Sequence, residues 1–162
     1  MVMWQLPTPA EQELWNAVVA GVRAANRTDH GQFQTSVGRL LRLPHAWAHQ
    51  VLRDTAGLLV EELDPDGRDQ WPRLEAQVDH SEAWLPKVDR KLLIALLPDG
   101  HRPPATDVPD EPEHTQHRLL LIALLADAAQ VSVGAFVDVA LANNRRADGT
   151  LAGSVPHCRV GR

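Results

Sequence analysis

Tyrosine is absent from this chain, phenylalanine occurs only twice, and β-branched residues never gather into the alternating runs that build strands. Leucine and alanine dominate instead, a bias toward helix. The single cysteine, Cys158, excludes a disulfide framework. No apolar run approaches the roughly 20 residues a helix needs to cross a bilayer. Residues 1–6 carry neither the basic region nor the apolar core of a secretory signal, so the expected location is cytoplasmic. Also missing are a Gly-x-Ser-x-Gly motif and a Gly-rich phosphate loop, while Cys158, between His157 and Arg159 in a Gly-containing tail, reads as an incidental thiol. The expectation is a non-enzymatic protein with no cofactor.

What is present is helical periodicity with clear punctuation. Thr8-Pro9-Ala10-Glu11 is a capping box with proline at the first helical position, and Leu14, Trp15, Val18, Val19, Val22 and Ala25 follow at helical spacing. The pattern predicts a helix from Pro9 to Asn26. Beyond Thr28 and Asp29, the residues Phe33, Val37, Leu40 and Leu41 predict a short amphipathic helix stopped at Leu43-Pro44. Pro44 opens a third, with Ala48, Val51, Leu52, Thr55, Leu59 and Leu63 on one face. Two further pieces are entered through Trp71-Pro72 and Leu85-Pro86, the second with Val88, Leu92, Leu93 and Leu96 on its apolar side. Residues 98–112 hold five prolines and several acids and read as an extended loop.

The unbroken apolar run 119–126 is too apolar for a surface position and too short for a membrane, so it predicts a core helix. A Gln-Val-Ser turn joins it to a second apolar-periodic segment, and the two are expected to form a helical hairpin. At 162 residues the chain is one ordinary domain. The expected fold is therefore an all-α, single-domain helical bundle of six or seven helices: an N-terminal unit (1–97), the acidic loop (98–112), the C-terminal hairpin (113–144) and a basic flexible tail (145–162).

Charge is unevenly laid out. The formal net charge is −5, yet residues 1–53 carry five basic and three acidic side chains, 54–113 six and fifteen, and 114–162 five and three. Fourteen of the sixteen cations are arginine, which suits bidentate pairing with phosphate. Arg23 and Arg27 lie four apart, Arg39 and Arg42 three apart, and Arg145 and Arg146 follow the last predicted helix. If those helices lie side by side, the six arginines form a stripe that tracks a nucleic-acid backbone opposite the acidic centre. Trp4, Trp47 and Trp71 fall off the main apolar faces or in connections, where tryptophan anchors interfaces. These features predict a helical subunit or adaptor of a larger assembly, with other proteins or copies of itself as partners and nucleic acid as a weak one.

Two alternatives use other residues. The segment 125–136 resembles the helix-turn-helix of tetracycline-repressor-type regulators, and 131–142 resembles the second helix of ribbon-helix-helix proteins. Either resemblance implies a small DNA-binding regulator using 114–146. A recognition helix would need basic or amide side chains for base edges, and the ribbon form needs a strand ahead of Leu119. The other alternative is a metal-dependent bundle enzyme: His45 and His49 lie four apart, His114 and His117 three apart, with Glu111 three before His114. The di-metal carboxylate bundle wants the Glu-x-x-His motif twice, and this chain supplies it once; no metal is assigned.

Overall fold

The computed structural model describes residues 8–63, 71–85, 88–96 and 114–157, and within the helices it leaves aside the side chains of 63, 71–75, 90, 94–95 and 146–157. Seven helices and no strand are found among the described residues: α1 (Pro9–Asn26), α2 (His30–Leu41), α3 (His45–Leu63), α4 (Trp71–Trp84), α5 (Arg90–Ala95), α6 (Thr115–Ala129) and α7 (Val133–His157). No helix among them is long and apolar enough to cross a membrane. The fold is an all-α bundle, as the periodicity predicts.

The capping box is formed in full. Thr8 Oγ1 accepts from the Glu11 amide at 3.1 Å, and Glu11 Oε1 accepts from the Thr8 amide at 2.8 Å. Asp29 caps α2 and Asp89 caps α5, each carboxylate accepting amides of the following turn. α1 and α6 both stop on a left-handed residue, Thr28 at φ 55° and Gln130 at φ 59°. At each stop two amides turn back onto the last carbonyls: Asp29 to Ala24 and Thr28 to Ala25, Val131 to Ala126 and Gln130 to Asp127. Both are Schellman closures made without the usual glycine.

α6 is the axis of the molecule. Residues 117–126 are all buried, with no polar face, because α6 touches every other helix, α3 and α1 most extensively. Leu14, Val18 and Val22 of α1, Phe33, Val37 and Leu40 of α2, and Ala48, Val51, Leu52 and Leu59 of α3 close around it, on the faces the spacing predicts. Leu93 and Leu96 are buried in the same core, while Leu41 is exposed. Burying some thirty apolar side chains supplies the main driving force for folding. Two close approaches fix the geometry: a Cβ on Gly21 would lie 2.6 Å from Leu119 Cδ2, and one on Gly134 would lie 2.8 Å from Trp15 Cζ2. Trp15 Nε1 then donates to the Gly134 carbonyl at 3.1 Å, tying α1 to the start of α7.

The C-terminal pair departs from the expected hairpin in detail. The turn after α6 is where the sequence places it, but α7 lies mainly against α3 and α1, with only slight contact to α6. The reason is occupancy, since α6 already spends its whole circumference on other helices. α7 also runs past Asn144, the expected end, to His157. Once nucleated, a helix extends at little cost per residue. Asn144 Nδ2 on Asp54 Oδ2 (2.8 Å) and Arg145 Nε on Glu11 Oε2 (2.7 Å) pin the turn where the sequence predicts release. The acidic loop 98–112, Trp4 and Cys158 lie outside the described residues.

Candidate functional site

The predicted arginines divide into held and exposed. Arg39, on α2, grips Glu13 of α1 with both Nε and Nη2, at 2.8 and 2.9 Å. Their side chains are 28% and 38% exposed. That hydrogen bond holds the Glu13 carboxyl below its ordinary range, with burial opposing and the charges of Arg39 and Arg42 adding to the effect. Arg145, half-buried on α7, pairs with Glu11, whose side chain is only 8% exposed. Burial pushes the Glu11 carboxyl up, but the Arg145 hydrogen bond, the Thr8 amide and the Arg145 charge together bring it below the ordinary carboxylate range. Arg23 and Arg27 stand exposed at the end of α1 and Arg42 at the end of α2. The side chain of Arg146 lies outside the described residues.

Sequence reasoning missed both acidic partners. Glu11 reads as a capping residue and does serve as one, but its second role faces a residue 134 positions away. Glu13 meets Arg39 only because α1 and α2 lie side by side. No local spacing carries either pairing.

The histidines are placed by the joint between α3 and α6. His49 is 1% exposed, and its Nε2 shares a hydrogen bond with Thr115 Oγ1 at 2.8 Å. The His45 ring lies 4.0 Å from that of His49. His117 is buried on α6, and its Nε2 accepts the Asp89 amide at 3.1 Å, so this nitrogen carries no proton. The first turns of α3 and α6 do meet, as the metal alternative requires. Among the described residues, however, no three His, Cys, Asp or Glu side chains gather to hold a metal.

The regulator alternative meets two further facts. Residues 115–118 ahead of Leu119 are helical, so the strand of a ribbon-helix-helix is not formed there. The exposed residues of α7 up to Asn143 are Ala135, Asp138, Val139 and Asn143, which offer base edges a single amide and no cation. Trp47, expected at an interface, is half-buried against the core, and the side chain of Trp71 lies outside the described residues. Compared with known proteins, the chain matches no family model, no curated protein and no solved structure.

Proposed function

We infer that this chain is a non-enzymatic helical subunit or adaptor of a larger assembly, meeting nucleic-acid backbone through the face of α1 and α2. The observation that carries the reading is the exposure of Arg23, Arg27 and Arg42 on this helix pair. No carboxylate occurs between Asp29 and Asp54, so α2 adds cations to this face beyond its cap without adding acids. Arg39 is a reserve member of the set, engaged by Glu13 at a half-exposed position where phosphate can compete. Arg145 drops out of the original six, because leaving Glu11 would strand a nearly buried carboxylate. Against an enzymatic role stands the use of His49 and His117 as joints between helices.

The test is binding of the whole chain to random-sequence RNA and DNA over a range of salt. Binding should weaken with salt, and an Arg23→Glu/Arg27→Glu/Arg42→Glu variant should lose about tenfold or more in affinity, with the log–log salt slope shallower by roughly two to three. Equal binding by the variant sinks the nucleic-acid reading.

A further inference from the structure

A cavity of about 180 Å³ opens between the end of α1, the outer half of α4 and α6. Its size decides what it can take. Sites for drug-sized ligands run to roughly 300–1,000 Å³, so this one admits a group no larger than an amino-acid side chain. The floor is apolar: Leu120, Ala123 and Leu124 of α6. One wall is Trp84, fixed edge-on to Phe33 with ring centroids 5.5 Å apart and planes at 86°.

The polar lining favours positive charge. Asp127 presents a carboxylate that receives the Gln77 side-chain amide, and one amide donor leaves most of its acceptor capacity unused. Ser81 has its proton committed to the Gln77 backbone carbonyl, so it too is left as an acceptor. Asn26 closes α1 and Asp127 lies in the last turn of α6, so the cavity lies beside two helix C-termini. No lysine or arginine lines the cavity, and His80 is its one basic side chain.

The geometry points to a binding site for a compact organic cation with a short apolar stem, of the guanidinium type. The head group sits at Asp127, which is exposed, the stem lies on Leu124, and the indole of Trp84 adds an aromatic face. α4 touches the rest of the fold mainly through α6. Filling the cavity therefore bridges α4 to α1. The site opens beside the end of α1 that carries Arg23 and Arg27 but uses neither side chain, so its test does not depend on theirs.

Ethylguanidinium is the probe, with neutral ethylurea as its isostere, titrated into the full chain at pH 8 and constant ionic strength. The readout is the NMR signals of the Trp84 indole N–H and the Gln77 side-chain amide. Saturable shifts are expected with ethylguanidinium, at least tenfold weaker binding with ethylurea, and at least fivefold weaker ethylguanidinium binding in Asp127→Asn. That variant keeps an acceptor for Gln77, so the fold is preserved. N-acetylarginine amide separates the sources. Binding as tight as ethylguanidinium assigns the site to an arginine side chain of a protein partner, whereas its exclusion assigns it to a free guanidinium compound. Shifts that never saturate, that are the same for the urea, or that survive Asp127→Asn unchanged would overturn the site.

Discussion

Removing the guanidinium of Arg145 leaves Glu11 nearly buried, with the Thr8 amide as its remaining strong donor. Arg145→Ala should therefore cost about 1–3 kcal/mol in urea unfolding at pH 7, the lower end reflecting Arg145's partial exposure. The Glu13–Arg39 pair, half in water, should be worth no more than about 1 kcal/mol. The acid response follows from the direction of the Glu11 shift. Its folded-state value is depressed, so its contribution is fully present above the unfolded carboxylate range and fades as pH falls through that range toward the lower folded value. Glu11→Gln should flatten that part of the acid-unfolding curve relative to the parent. An equal acid response in both chains would remove Glu11 from the account.

At the scale of the helix, two glycines are contact points and two stand beside open space. Gly21→Ala drives a Cβ to 2.6 Å from Leu119, whose side chain is fully buried, so it should destabilise by about 1–3 kcal/mol although alanine is the better helix former. Gly134→Ala should behave alike against Trp15. Gly38→Ala and Gly57→Ala meet nothing within 4 Å and should stabilise by about 0.5–1 kcal/mol. Thermal unfolding of the four variants checks the signs. The elements themselves were legible because their signals are local: the capping box and proline mark the start of α1, and the heptad-like spacing from Leu14 to Val22 marks its buried face. The continuation of α7 beyond Asn144 was not legible, because its anchors, Asp54 and Glu11, lie 90 and 134 positions away. α7's choice of α3 and α1 was hidden likewise, since a run apolar all round says that a helix is buried and not by what.

For the molecule as a whole, the question is which cations remain available to a partner. The arginine residues could be counted in the sequence, but their division into held and exposed depends on carboxylates brought in by tertiary contact. That division yields an experiment with a counterintuitive sign. Glu13→Gln removes a charge that competes with phosphate for Arg39, so it should strengthen RNA or DNA binding by roughly two- to fivefold at low salt, converging with the parent at high salt. Weaker binding in this variant would mean that Glu13 positions Arg39 for its partner. No change at all would take Arg39 out of the interface.

The central place of α6 also bears on how the chain is made. Synthesis proceeds from the N-terminus at about 5–20 residues per second. The apolar faces of α1, α2 and α3 are complete by Leu63, yet the helix they close upon ends only at Ala129. For roughly 3–13 seconds of elongation the nascent chain thus displays half a core with nothing to cover it. A product interrupted in that interval carries sticky, unsealed helices, which makes it a natural client for chaperones.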